Sequence, residues 1–254
     1  MYPVVFEIFG HAISSFGLMM AVAFLAGTWI AGIQFEERKL SPDLAGNLMI
    51  WAMVGGILGA KLYYSIDFYF IEGIPFWDSM LSRAGMTFYG GAMLGVLFVI
   101  IGSLHAKAPL WDVSQSTAVT LAIGQAIGRV GCFLVGDDYG VPSDLPWAVA
   151  FPEGLPPTLV PVHPTQLYEA FWLFAVSFYL WKRRNKSPFL FGEFMILNGI
   201  GRFAVEILRL NARVAFGLSE AQWIGILLAV GGIIGYAIFH GRAKQASEGL
   251  ATQE

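Results

Sequence analysis

The chain has 254 residues, 56% hydrophobic and only 13% charged, with a formal net charge of −3 and one cysteine. A soluble protein carries about 25% charged residues, so this chain has too few to cover a water-facing surface and belongs in a membrane. One cysteine excludes an internal disulfide framework and a cysteine-based zinc site; with no basic face and no known module, nucleic-acid binding is excluded as well.

Crossing ~30 Å of hydrocarbon takes roughly 20 apolar residues. Seven such runs are predicted, at about 12–33, 45–66, 85–104, 110–128, 166–181, 189–208 and 220–239. The fifth is short, and its start is blurred by the proline-rich loop before it. No Lys or Arg precedes the first run and six more follow, which argues against a cleaved signal peptide.

Basic residues set the orientation. Arg38 and Lys39 follow the first run, Lys107 the third, Lys182, Arg183, Arg184 and Lys186 the fifth, and Arg242 and Lys244 the seventh. Nine of the fifteen basic residues therefore fall on alternate loops, all on one side. The expected fold is an all-α polytopic membrane protein with seven transmembrane helices. Its N-terminus lies outside, its C-terminus and the tail at 240–254 are cytoplasmic, and residues 1–254 form a single integral-membrane domain.

Two long loops fall on the outer face. Residues 67–84 hold Phe68, Tyr69, Phe70, Phe76 and Trp77 but only one basic residue, Arg83, which suits a segment with rings at headgroup depth. Residues 137–163 are proline-rich and aperiodic, and are expected to form an irregular periplasmic cap; loops of that length are usually functional or disordered. No internal repeat of useful length is found, which weakens a transporter reading.

Lys61, Arg129, Arg202, Glu169 and Glu206 fall inside or at the ends of predicted spans. A charge there costs about 2.5–3.5 kcal/mol on insertion scales, so each needs a partner or a function. Arg202, Glu206 and Arg209 share one helical face, and Glu206 is spaced to pair with either arginine. Lys61 and Arg209 equally suit structural pairs or snorkelling to an interface. Arg129 and Arg202 lie toward the outer ends of their spans, where a lipid headgroup enters, and a guanidinium fork matches two phosphate oxygens. The Gly-x-x-x-Gly spacings at 55–59, 91–95 and 124–128 read first as close helix packing.

The blocks GQAIGRVGCFLVGDDYG, LPWAVAFP, PVHPTQLYEA and NGIGRFAVEILR, with MTFYGG at 86–91 and FGLMM at 16–20, lie in order along the chain. Together they resemble the bacterial prolipoprotein diacylglyceryl transferases over nearly the whole length. The resemblance implies transfer of the diacylglyceryl group of phosphatidylglycerol to the lipobox cysteine thiol of a preprolipoprotein, with release of glycerol 1-phosphate. The partners implied are phosphatidylglycerol, the signal peptide with its lipobox cysteine, and the surrounding membrane lipid. The place implied is the bacterial inner membrane, with the site toward the periplasmic face. By the same resemblance Arg129 and Arg202 are the essential phosphate-binding residues. Glu169, Glu206 and Arg209 match supporting polar positions, and Tyr89, Gly131 and Gly140 join the substrate-binding set.

Several positions depart from the usual family pattern. Cys132, Val135 and Asp137 stand where Asn, Asn and Glu are usual; Tyr89 stands for a frequent His, Met20 for an aromatic and Asn198 for a Tyr. The general base is therefore open. His163 has a suitable pKa range and is counted with Arg129, Arg202 and Tyr89 among the catalytic candidates, although it equally suits bracing the loop. Tyr89, with a phenol near pKa 10, is a poor base but a fit hydrogen-bond donor to phosphate. Asp137 and Asp138 read first as the start of a turn, with a base or cation ligand as the alternative. An arginine field that lowers the substrate thiol's pKa would make a base unnecessary. Cys132 reads as inert filling rather than a nucleophile. Nothing in the sequence calls for a metal or organic cofactor. The alternatives carried forward are a related membrane transferase with another phospholipid or acceptor, and a non-enzymatic lipid-binding or transport protein.

Overall fold

The computed structural model describes residues 3–8, 11–82, 85 and 87–251, with the backbone alone at 8, 11 and 242–251. Arg83 and Met86 lie outside the described residues, and so do the side chains of Arg242 and Lys244.

In chain order, strands β1 (Val4–Ile8) and β2 (His11–Ser14) form an antiparallel hairpin that leads into helix α1 (Ser15–Glu37). Helices α2 (Asp43–Glu72), α3 (Phe76–Leu81), α4 (Phe88–His105) and α5 (Leu110–Val135) follow. A second hairpin, β3 (Val149–Phe151) with β4 (Thr158–Val162), precedes α6 (Thr165–Arg183) and α7 (Leu190–Glu206). A third, β5 (Arg213–Ala215) with β6 (Leu218–Ser219), leads into α8 (Glu220–Ala251). The chain is thus mostly helical, but the all-α expectation is corrected by three short hairpins. The segment 137–163 is also more ordered than an irregular cap, because β3 and β4 pair there and Pro142 bridges to Val162.

Among the described residues, five helices are long and apolar enough to cross a membrane: α1, α2, α4, α5 and α8 over Glu220–Gly241. In α6 and α7 the apolar run is interrupted by Glu169, Lys182, Glu193 and Arg202, and α7 has only 17 residues. The helices wear their large apolar side chains outward, as Leu25, Trp29, Phe171 and Leu227 do. That is unfavourable in water and suits a hydrocarbon solvent.

The chain divides into two compact units, Met1–Ile30 with Gln115–Glu254, and Ala31–Ser114. In the second, α2 and α4 pack through small residues. A Cβ on Gly55 would lie 2.6 Å from the Leu94 carbonyl oxygen and 2.7 Å from Phe98, so these backbones approach as only glycine permits. Lys61 is held in this unit, where its Nζ donates to the Ser82 carbonyl at 2.6 Å. In the first unit, Ala118, Val119 and Ala122 of α5 pack on Val176 and Leu180 of α6 and on Leu190 and Phe194 of α7. The buried Gln115 side chain accepts the Leu190 N–H at 2.6 Å, which satisfies a backbone donor that α7 itself cannot pair. Arg183 clamps Glu193 with Nε 2.8 Å and Nη2 2.7 Å from its carboxylate oxygens, tying the end of α6 to the start of α7.

A substitution test follows from the glycine contact. Gly55→Ala forces backbone or Phe98 to shift, and is expected to destabilise by about 1–3 kcal/mol. Gly46→Ala, where no atom lies within 4 Å of the added carbon, is expected to be neutral or slightly stabilising. Thermal unfolding of the purified variants in detergent checks both.

Candidate active site

Three helices of the first unit bring charge to one place. Arg129 comes from the penultimate turn of α5, Glu169 from the first turns of α6, and Arg202 and Glu206 from the last turns of α7, with Arg209 just beyond. The Glu169 carboxylate oxygen Oε2 lies 3.0 Å from Arg129 Nε and 3.6 Å from Arg202 Nη1. Two arginines from different helices thus meet at a single oxygen atom.

Glu206 anchors the other half. Its side chain is fully buried, with Oε2 lying 3.0 Å from Arg202 Nη2 and 3.8 Å from Arg209 Nε. Its Oε1 accepts from Asn211 Nδ2 and Ser219 Oγ, both at 2.7 Å. The i, i+4 and i, i+3 spacing places both arginines on the face of Glu206, so the expected choice between them is resolved as both. Arg209 is buried in this network rather than snorkelling to an interface. Arg202 Nη1 is buried and makes no hydrogen bond, having only its 3.6 Å ion contact.

The third carboxylate is Asp138. One of its oxygens lies 2.9 Å from Arg129 Nη1, and the other meets Arg209 Nη2. Its backbone takes a left-handed conformation, φ 60°, which Asp tolerates better than most residues. The surrounding turn is stitched down on every side. Thr165 Oγ1 donates to the Asp138 carbonyl at 2.8 Å, and Gln166 Nε2 donates to that of Asp137. The Gly140 N–H donates to the His163 carbonyl at 2.9 Å, and Val141 N–H to that of Leu208 at 2.8 Å. A Cβ on Gly140 would come within 2.6 Å of the Leu208 carbonyl oxygen, so glycine is what lets the loop lie against the end of α7. Tyr139 stacks on Phe151 at 5.5 Å and donates to the Pro156 carbonyl at 2.7 Å, fixing the turn to the β3–β4 hairpin.

The two aspartate carboxyls shift in opposite directions. Burial alone would lift the Asp138 carboxyl, but the guanidinium groups of Arg209 and Arg129 outweigh it and hold it below the usual carboxylate range. Burial, reinforced by Asp138, pushes the Asp137 carboxyl above that range against the opposing pull of Cys132 and the arginines.

The other expected residues are distributed unevenly. Gly131 packs α5 on α1, where an added Cβ would lie 3.1 Å from Met19 Cβ. His163 joins the site's loop through its carbonyl, while its Nδ1 lies 3.2 Å from the Tyr168 hydroxyl, which also accepts the Trp147 indole N–H at 2.7 Å. Tyr89 stands in the first turn of α4, in the second unit, with its ring 6.0 Å from Phe88. Cys132 is buried, 3.8 Å from Arg129 Nη1. Its sulfur and the two aspartate carboxylates lie within 4.8 Å of one another, but Asp138 already serves two guanidinium groups, an arrangement that repels a cation. Asp138, Asn211 and Ser219 are the site residues that reading the sequence missed as ion or hydrogen-bond partners. The signal available for Asp138 was a carboxylate nine residues after an intramembrane arginine.

The sequence matches the family model described as prolipoprotein diacylglyceryl transferase over residues 3–238. The chain belongs to the prolipoprotein diacylglyceryl transferase family. Among curated relatives, a phosphatidylglycerol–prolipoprotein diacylglyceryl transferase of Clostridium tetani is 34% identical over 94% of this chain and 98% of its own length. One from a Nostoc species is 31% identical over 95% of this chain and 90% of its own. A protein of Clostridium perfringens named phosphatidylglycerol–prolipoprotein diacylglyceryl transferase 2 is 33% identical over 91% and 93%. The sequence resemblance is thereby borne out, and the chain is a transferase-family membrane protein.

Because the Asp138 carboxyl is held below its ordinary value, its contribution to stability is complete above the unfolded value of about 3.9 and is lost as pH falls through the site's lower value. Asp138→Asn is therefore expected to lower the unfolding temperature by a constant amount between pH 5 and 8, with the difference shrinking below about pH 4. Unfolding temperatures of both proteins measured across that range check this.

Proposed function

We propose that the protein transfers the diacylglyceryl group of phosphatidylglycerol to the lipobox cysteine thiol of a preprolipoprotein and releases glycerol 1-phosphate. The observation that carries this reading is the meeting of Arg129 and Arg202 at Glu169 Oε2, in a chain whose relatives bear that activity in their names. In the reaction a sulfur–carbon bond forms and the bond from that glyceryl carbon to the phosphate ester oxygen breaks. The electron pair stays on the departing phosphate, and the thiol gives up its proton. Charge grows on the phosphate oxygens as the bond breaks, so fixed guanidinium groups there act on the transition state more than on the bound lipid.

Glu169 and Glu206 take positioning roles. Each is buried, each binds two arginines, and together they hold the forks in place before lipid arrives. The thiol of a free cysteine, pKa about 8.5, is only slightly ionised near neutrality. His163 is the base that this reading assigns, with Nδ1 at the Tyr168 hydroxyl and Nε2 left to exchange the proton. Gly131 and Gly140 are assigned as the small residues that keep helix and loop close to the lipid.

The membrane arrangement inferred with it has seven spans in the bacterial inner membrane, N-terminus outside and C-terminus cytoplasmic, with the arginines toward the periplasmic face. The lengths of α6 and α7, 19 and 17 residues, correspond to roughly 28 Å and 25 Å, close to the hydrocarbon thickness. The basic residues after α1, α4 and α6 favour the cytoplasm for those ends.

Purified protein incubated with phosphatidylglycerol and a lipobox peptide tests the reading through the peptide's mass shift and the glycerol phosphate released. Phospholipid consumed only with another acceptor would point to a related transferase, and no consumption would reject an enzyme of this kind. Arg129→Ala and Arg202→Ala are each expected to lower kcat by about 10²–10³-fold or more while the protein still inserts and unfolds cooperatively. Substantial activity in Arg129→Ala would reject the phosphate clamp.

A further inference from the structure

The charge cluster holds three guanidinium groups, Arg129, Arg202 and Arg209, and three carboxylates, Glu169, Glu206 and Asp138. It is balanced before any substrate enters. A phosphodiester headgroup would add one negative charge, and Asp137 beside the cluster adds more whenever it is ionised. In a low-dielectric site such a surplus is costly, so phosphate binds well only if a carboxylate gives up its arginines.

The three carboxylates are not equally able to do so. The Glu206 side chain is 0% exposed, held by two hydrogen-bond donors and ion contacts to two arginines, and that of Glu169 is 9% exposed between two arginines. The Asp138 side chain is 44% exposed, so its charge reaches water at small cost. Its backbone is pinned by Thr165 and by the buried ring of Tyr139, so a side-chain rotation alone frees it. Its two oxygens bridge Arg129 and Arg209, and a phosphate presents the same paired oxygens to the same two donors.

We infer that Asp138 is an exchangeable counter-anion: its carboxylate fills the Arg129 and Arg209 side of the phosphate position, with Arg202 also within electrostatic reach, swings into water when the lipid headgroup enters, and returns as glycerol phosphate leaves. This rests on the function proposed above and deepens it. Asp138 acts as a positioning and affinity-setting residue, lowering headgroup affinity while keeping the arginines ordered in the empty site. It also gives the anionic product a competitor that is never more than a bond rotation away. Tight product binding is thereby avoided in a site built to attract phosphate, and turnover gains what binding loses.

The test uses the full chain in detergent with inorganic phosphate as the probe, followed by transfer from phosphatidylglycerol to a lipobox peptide. Asp138→Asn keeps the size of the side chain and its tolerance of the left-handed backbone; Asp138→Gly removes the carboxylate without backbone strain. In both, the phosphate concentration giving half of the thermal shift is expected to fall about tenfold relative to wild type, the equivalent of one removed competitor worth ~1.4 kcal/mol. The KM for phosphatidylglycerol is expected to fall with it, while kcat falls and inhibition by added glycerol 1-phosphate strengthens. Asp138→Glu, which keeps a competing carboxylate, is expected to stay near wild type in phosphate affinity. A folded Asn or Gly variant that binds phosphate no more tightly than wild type overturns the inference, as does failure of both variants to fold, which would make Asp138 a structural tie. A wild-type protein that neither binds phosphate nor transfers from phosphatidylglycerol rejects the proposed function instead.

Discussion

The site depends on pairing three guanidinium groups, Arg209 buried and Arg129 and Arg202 half-buried, with three carboxylates before any ligand is present. An unpaired arginine in a membrane helix is a burden on insertion and would draw water or lipid phosphate at random. Here Glu169 and Glu206 each make ion contacts to two arginines, and breaking such a pair leaves the buried carboxylate stranded at a cost of about 3–5 kcal/mol. The ion network therefore determines where α5, α6 and α7 end relative to one another, while the apolar contacts of Val119, Val176 and Phe194 only require that they pack. The placement of the guanidinium groups follows from that pairing.

That dependence explains why the loop after α5 is so thoroughly fastened. Asp138 has to reach across to Arg209 from a turn that lies outside any helix. Hydrogen bonds from Thr165 and Gln166 of α6 and the stacked Tyr139–Phe151 pair supply the support. Gly140 is then required where the loop touches the Leu208 carbonyl. The β3–β4 hairpin is small, yet it is what makes a two-residue aspartate turn rigid enough to carry charge.

The sequence made some of this legible and hid the rest for physical reasons. Long apolar runs marked α1, α2, α4, α5 and α8, because helix length and hydropathy are local properties. The hairpins escaped, since β3 and β4 are short and their pairing depends on contacts across a proline-rich loop. Intramembrane charge singled out Arg129, Glu169, Arg202 and Glu206, for such residues have few reasons to exist. The spacing of Arg202, Glu206 and Arg209 even foretold their pairing, being set by one helix. Asp138 was read first as a turn former because both readings suit the same residue: it takes the left-handed backbone of a turn and also pairs with Arg129 and Arg209. Asn211 and Ser219 were invisible, as nothing in their local sequence points to a buried Glu206.

The departures from the family's usual residues gain meaning from the same charge balance. With Cys132 and Val135 in place of amides, the stretch after Arg129 offers fewer neutral hydrogen-bond donors and acceptors around the guanidinium. An arginine so deprived must find an anion, and Asp138 lies within 2.9 Å to serve. A neutral amide holds an arginine without opposing a phosphate, whereas a carboxylate holds it more firmly and competes. Replacing one by the other therefore trades affinity for the lipid headgroup against order in the empty site. For the transfer proposed above, that trade favours release of an anionic product over its retention.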